Sequence, residues 1–267
     1  MNRYNYLNEN GEHVHLLDEK PLIGTSSVGD VLMKHGLTYW AAGLALEKFG
    51  WKKKKNEDDK VRPRDERVIS AEMGRAKLNK LSPDEYLDLL DEAYSAHAKE
   101  LDTSADKGKE LHAEIEKYIK YKMSDSEVKV FESTDERIVP FIEWANENVK
   151  RFLLSEGNVY SERMHTGGVC DCMVELNDGT VGIIDFKSAK KTYTSHFLQC
   201  AGYSIQLKEN GAFDKDGNQT MVTPAKIDWF AVVPFGKKKF VVDIKRNVDE
   251  LEEGFKSMLS LYKLINK

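Results

Sequence analysis

The sequence predicts an α/β fold, in which a mostly helical N-terminal half leads into a mixed sheet of about five strands flanked by helices. Two observations carry this. Up to Gly157 the apolar residues recur at helical spacing. Beyond it they fall into short runs bounded by Gly, Asn and Asp, interrupted by two further helical stretches. The 267 residues, 40% of them hydrophobic, are enough to bury a core without staples. Three cysteines make no disulfide framework, so a reducing, cytoplasmic setting is expected. No apolar run approaches the roughly 20 residues of a membrane helix, and the polar stretch Met1–Glu12 lacks the apolar core of a signal peptide.

In chain order, Ser26 and Ser27 can cap a helical segment with Val28, Val31 and Leu32 on one face. A helix over Leu37–Phe49, rich in Ala and Leu, carries Trp40. Lys52–Lys55 followed by Glu57, Asp58 and Asp59 has no apolar period and reads as a solvated loop. Ser82-Pro83-Asp84-Glu85 is a strong helix start, continued by Tyr86, Leu89, Leu90 and Ala93. Further helices are expected over Ser104–Met123 and Glu136–Leu154. Strands follow at Val159–His165, Gly168–Leu176 and Val181–Lys187, then a helix at Ser195–Leu207. Two more strands are expected at Ile227–Val233 and Phe240–Ile244, and a closing helix at Val248–Ile265 with Leu251, Phe255, Leu259 and Tyr262 on one stripe. The expected division is 1–103 for the helical region and 104–267 for the sheet-bearing core, joined as one structural unit.

The most informative stretch is the hairpin from Gly168 to Lys187. An apolar strand ending in Asp185-Phe186-Lys187 places two charges on one face, where they need work or water. A two-residue Asp178-Gly179 turn would put Asp171 on the other face. A three-residue loop, Asn177-Asp178-Gly179 with Gly179 left-handed, pairs Leu176 with Thr180 and sets Asp171 opposite Asp185. Opposed carboxylates repel unless a cation lies between them. Two aspartates and a lysine together suit phosphodiester hydrolysis with Mg²⁺ or Mn²⁺, hard ions that prefer oxygen. The bland alternative is a hairpin that ends in a surface salt bridge.

These residues resemble the PD-(D/E)XK nuclease superfamily, and within it the RecB-like exonuclease branch, phage-type and without an iron–sulphur cluster. Gly168-x-x-Asp171 followed by Ile183-Ile184-Asp185-Phe186-Lys187 resembles the two core metal motifs. Gln199-Cys-Ala-Gly-Tyr203 is similar to the Q-x-x-x-Y motif, and Gly108-Lys-Glu-Leu-His112 to the G-x-x-x-H motif. Glu162 matches a glutamate common in the preceding strand, and Ile23–Leu46 resembles the start of phage-encoded members. The resemblance implies a restriction-endonuclease-like core and a bound Mg²⁺ or Mn²⁺, as one or two ions. The metal ligands would be His112, Asp171, Asp185 and the Phe186 carbonyl. The implied catalytic set is Lys187 with Asp171, Asp185, Glu162, Gln199 and Tyr203. Glu116, one turn beyond His112, would either support that histidine or be exposed; Glu110 and Glu114 are expected in solvent. Some relatives hold a four-cysteine cluster, which Cys170, Cys172 and Cys200 cannot build in one chain. Cys170 and Cys172 alternate with Asp171 and are expected to pack away from the metal.

The implied activity is a DNA exonuclease acting from ends, single strands among them, in phage recombination, repair or DNA degradation. A recombination or single-strand-binding protein is a candidate partner. The alternatives are an endonuclease, a nuclease subunit of a larger complex, or a silent DNA-binding module. Lys190, Lys191, Lys237, Lys238 and Lys239 are candidate phosphate contacts, as are Lys52–Lys55, though such runs are commonly just solvated. Trp40, Tyr193 and Phe197 are candidates for base stacking, with core packing the competing role for Trp40. The net charge of −5 would ordinarily count against nucleic acid, yet it is unevenly distributed. Residues 1–157 carry 25 Lys/Arg against 31 Asp/Glu, and 158–267 carry 15 against 14. If several acids hold metal, the acidic total no longer excludes a phosphate substrate, and DNA binding without metal should be weak.

Overall fold

A computed structural model describes residues 3–9, 12–32, 35–55, 60–124, 131, 133, 135–224, 226–236 and 239–266. The fold is α/β, with six α-helices and a large mixed sheet among the described residues. The chain divides into two compact units, Met33–Lys107 and the remainder, Met1–Leu32 with Gly108–Lys267. The division therefore differs from the expected one. The first 32 residues belong with the sheet, and the boundary falls inside a helix.

The smaller unit is helical. It holds α1 (His35–Glu47), α2 (Arg64–Leu78) and the first part of α3 (Pro83–Met123). Ser82 starts α3 as its sequence predicts: Ser82 N–H donates to Glu85 Oε2 at 2.8 Å, and Glu85 N–H donates back to Ser82 Oγ at 3.3 Å. Where two helices are expected, α3 runs unbroken through Thr103 and Ser104. Thr103 bonds its hydroxyl back to the Lys99 carbonyl, so it does not cap a new helix.

The larger unit begins with β1 (Tyr4–Glu9), β2 (Glu12–Leu17) and β3 (Lys20–Pro21), an antiparallel sheet outside the expected strands. β4 (Ile23–Gly24) and a 3-10 turn over Ser27–Val31 follow; the expected helix there is this single turn. After α3 come α4 (Val139–Asn148), β5 (Val149–Ser161), β6 (Thr166–Leu176), β7 (Val181–Lys187) and α5 (Thr194–Asn210). β8 (Ala212–Phe213), β9 (Gln219–Met221), β10 (Trp229–Pro234), β11 (Asp243–Lys245) and α6 (Val248–Ile265) complete the unit. The sheet order is β11-β10-β7-β6-β5-β8-β9, with β4 on β6; β7 and β10 are parallel. Three short strands thus join the five expected ones. The helix expected to reach Leu154 stops at Asn148, because Val149–Leu154 pair with β6 through two bulges. The strand expected to reach His165 ends at Ser161 in a turn.

Burial alternates as a two-faced sheet requires. Ile183 packs in the layer formed with α5 and α6, among Phe197, Ile205 and Phe255. Ile184 and Phe186 pack in the layer formed with α3 and α4, among Leu111, Ile115 and Phe141. Cys170, Cys172 and Cys200 are free thiols buried in these layers. Phe197 is buried too, which removes it as a stacking platform.

The β5–β6 turn is tied to α5 by Glu209, whose carboxylate accepts from Ser161 Oγ at 2.7 Å, the Glu162 and Arg163 N–H groups, and Arg163 Nε. Burial pushes its pKa up, but these donors outweigh burial and hold it below the usual glutamate value. A depressed carboxylate stabilises the fold above its unfolded pKa, and that stabilisation is lost as pH falls through the folded value. Glu209→Gln is expected to cost about 1–3 kcal/mol at pH 7. In urea unfolding, the penalty should shrink as pH falls below about 4.

Candidate active site

The site forms where β6 and β7 part. Leu176 and Thr180 close a three-residue loop, with Gly179 at φ +81° and its N–H on the Leu176 carbonyl at 2.9 Å. From there the strands pair in register as far as Cys172 with Ile184; one further step sets Asp171 opposite Asp185. The predicted loop is present, and so is the predicted register as far as the Cys172–Ile184 pair. Beyond this point β7 stays paired with β10, while β6 stays with β5 and β4. The Phe186 N–H is taken by a side chain: it donates to Asp171 Oδ2 at 2.8 Å. Asp171 is thereby fixed at the strand fork.

On the α5 side of the fork lies Asp185, 1% exposed. Lys187 Nζ donates to Asp185 Oδ1 at 2.8 Å and to Gln199 Oε1 at 3.2 Å, and Gln199 Nε2 donates to Tyr203 Oη at 2.6 Å. Gln199 and Tyr203 lie four apart on one face of α5. Gly168 makes room for that tyrosine, since a Cβ there would sit 2.8 Å from the Tyr203 ring. Asp185 Oδ2 is buried without a hydrogen-bond partner among the described residues. Burial pushes the Asp185 carboxyl up to about 6 against the pull of Lys187, and raises Asp171 as well. Lys187 is itself held above its ordinary value: burial opposes its charge, but the Asp185 and Asp171 charges prevail.

On the α3 side, His112 follows the buried Leu111 and stands one turn before the buried Ile115. Its Nε2 lies 3.0 Å from the Phe186 carbonyl, which can only accept, so Nε2 carries a hydrogen. The Phe186 carbonyl, expected as a metal ligand, accepts this bond and orients the ring. Nδ1 faces Glu156 Oε1 at 3.5 Å and Asp171 Oδ2 at 3.9 Å. Burial lowers the His112 pKa, but the Glu156 bond and the charges of Asp171 and Glu156 outweigh it and raise the pKa to about 9. One ligand atom from each of His112, Glu156 and Asp171 falls within 4.8 Å of the others.

Glu156 is the residue that sequence reasoning missed. It sits in β5 with φ +47°, a left-handed conformation that L-residues rarely take. It faces Asp171 one step from the Gly157–Cys170 pair. Glu162, expected in its place, lies in the turn beyond β5 and pairs with Arg3 at 3.2 Å. The signal was the four-residue turn Glu162–His165: counting back from Ser161 opposite Thr166 reaches Glu156 opposite Asp171. Glu116 pairs with Lys120 at 2.5 Å, and Glu114 with Lys117. Lys190 and Lys191 are exposed on the loop that leaves β7 just after Lys187, and Lys239 is exposed before β11. Lys237 and Lys238 lie outside the described residues. Tyr193 is 57% exposed at the start of α5.

The structure thus gathers six expected residues, His112, Asp171, Asp185, Lys187, Gln199 and Tyr203, and adds Glu156. No family model and no curated protein matches the chain. What the site can do follows from its own chemistry. The carboxylates of Glu156 and Asp171 with the His112 imidazole form a donor set suited to a hard divalent cation, the nitrogen favouring Mn²⁺ over Ca²⁺, and Asp185 adds a buried oxygen that has no hydrogen-bond partner among the described residues. Among the described residues no helix is long and apolar enough to cross a membrane.

If the cluster takes Mn²⁺, Glu156→Gln is expected to weaken its binding by about 10- to 100-fold. Isothermal titration with MnCl₂ checks this. Glu162→Gln should leave the affinity unchanged.

Proposed function

We propose that the chain is a metal-dependent DNA exonuclease of PD-(D/E)XK type, hydrolysing phosphodiester bonds from DNA ends. The single observation that carries this is the fork geometry. The β6–β7 register runs to Cys172–Ile184 and leads on to Asp171 and Asp185, Lys187 is bonded to Asp185, and Asp185 Oδ2 is buried without a hydrogen-bond partner among the described residues. A structural salt bridge at a hairpin end would leave no such oxygen, because an unmet buried acceptor is costly.

Asp171, Asp185, Glu156 and His112 Nδ1 would hold Mg²⁺ or Mn²⁺. When bound, such an ion polarises a phosphoryl oxygen and lowers the pKa of an attacking water. Lys187 presents its charge where negative charge builds on the phosphoryl group. Gln199, anchored by Tyr203, fixes the direction of that ammonium. His112 is aimed by its Nε2–H bond to the Phe186 carbonyl, which leaves Nδ1 turned to the carboxylates. Lys190, Lys191 and Lys239 supply charge for the DNA backbone from the loops that follow β7 and precede β11.

The test is incubation with end-labelled linear DNA and covalently closed circular DNA, each with Mg²⁺, Mn²⁺ or EDTA. Loss of label from linear DNA alone, abolished by EDTA, is the expected result. Equal degradation of circles would replace exonuclease by endonuclease. A second reading, a nuclease subunit of a larger complex, draws on α2, which buries no residue and exposes Ile69 and Met73. Sedimentation with a recombination or single-strand-binding protein tests it.

A further inference from the structure

Next to the fork, the larger unit encloses a cleft of about 680 Å³, and Glu156 belongs to both its wall and the His112–Glu156–Asp171 cluster. We propose that this cleft seats one unpaired nucleobase, with its sugar, of a DNA strand whose backbone lies at the cluster. The inference rests on the nuclease reading above.

Four features of the wall select that occupant. Its volume lies in the range of small-molecule pockets and far exceeds what an ion or a few waters need. The rings of Tyr6 and Phe213 line it, and both are half-buried. Every base has a π-face, so aromatic walls accept bases regardless of sequence. Acids outnumber bases in the wall, with Glu116, Glu156, Asp214 and Asp216 against Lys120 and Lys215 and with Glu116 paired to Lys120, which disfavours a phosphate inside the cleft but not a neutral base. Finally, Ser155 and Asn158 stand in the same wall, and Ser155 Oγ and Asn158 Oδ1 are buried with no hydrogen-bond partner among the described residues. Buried acceptors of this kind ask for a partner, and the N–H groups of a base edge supply one. Because Glu156 belongs to both places, a strand with its phosphate at the cluster has its adjoining base beside the cleft.

The probe is a short single-stranded oligodeoxynucleotide carrying 2-aminopurine at its terminal base, titrated with Ca²⁺ in place of Mg²⁺. Stacking on the full-length protein should quench its fluorescence saturably, whereas the same base paired in a blunt duplex should not respond. Tyr6→Ala and Phe213→Ala should each weaken the quenched complex by about 5- to 150-fold, as loss of one stacking ring does. Tyr6→Phe keeps the ring and should keep the affinity. Asn158→Leu, which leaves both rings in place, should weaken the complex less and narrow differences between bases. Quenching unchanged in both ring variants, or equal in the duplex, overturns the proposal. Hydrolysis by the wild-type protein without quenching overturns the cleft assignment and leaves the nuclease reading standing. Ring-dependent quenching without hydrolysis supports the cleft and overturns the nuclease reading instead.

Discussion

Asp185→Asn is expected to lower DNA hydrolysis by about 10³-fold or more, a loss on the order of 4 kcal/mol in transition-state stabilisation. The substitution keeps the side chain's shape and its bond to Lys187, and removes only the charge. Asp185 is the most deeply buried acid of the fork, and its Oδ2 has no hydrogen-bond partner among the described residues. A metal readout separates this from a folding defect. At about 100-fold excess over its dissociation constant, Mn²⁺ should stabilise the wild-type protein by about 2.7 kcal/mol, which is roughly 5–10 °C in Tm for a unit of this size. Asp185→Asn should lose most of that shift while melting near the wild-type temperature without metal. A variant that hydrolyses DNA normally, or keeps the full Mn²⁺ shift, would sink the assignment of Asp185.

The part of this site that the sequence makes legible is the part governed by local rules. Asn177-Asp178-Gly179 specifies a turn whose geometry depends on one left-handed glycine, and the period of two then carries the register from Thr180 to Asp185. Q-x-x-x-Y is equally local, because four residues make one helical turn. Glu156 is hidden for the opposite reason. Its position depends on where β5 turns back, and Val159–His165 looks like one strand until Glu209, 44 residues beyond His165 in the chain, is seen to hold Ser161, Glu162 and Arg163 in a turn. The misread helix end at Leu154 has a similar cause. Val149, Phe152 and Leu153 also suit helical spacing, and only pairing with β6 decides for strand. The early strands carry their register in a cluster of Tyr4, Leu17, Leu22, Tyr160 and Phe213, which no local period reveals.

Lys187 offers the sharper test of chemistry against mere binding. Lys187→Ala is expected to reduce the rate at saturating DNA by about 10²- to 10³-fold, the range for removing one preorganised group that meets developing charge. Mn²⁺ affinity should be retained or rise, because a cation bonded to a metal-side carboxylate has been removed. A loss of rate without a loss of metal affinity distinguishes Lys187 from a ligand. Arginine should not rescue it. The ammonium sits between Asp185 Oδ1 and Gln199 Oε1 with its side chain 24% exposed, and Gln199 is pinned in turn by Tyr203. A planar guanidinium is too broad for that gap and would fork onto the carboxylate, leaving no point charge for the phosphoryl group. Tyr203→Phe frees Gln199 without touching the lysine, so it should cost less, about tenfold, and mainly in rate. Equal losses for Lys187→Ala and Lys187→Arg without loss of Mn²⁺ affinity would fix the role as that of a placed ammonium rather than of net charge; full activity in Lys187→Ala would remove it from the chemistry.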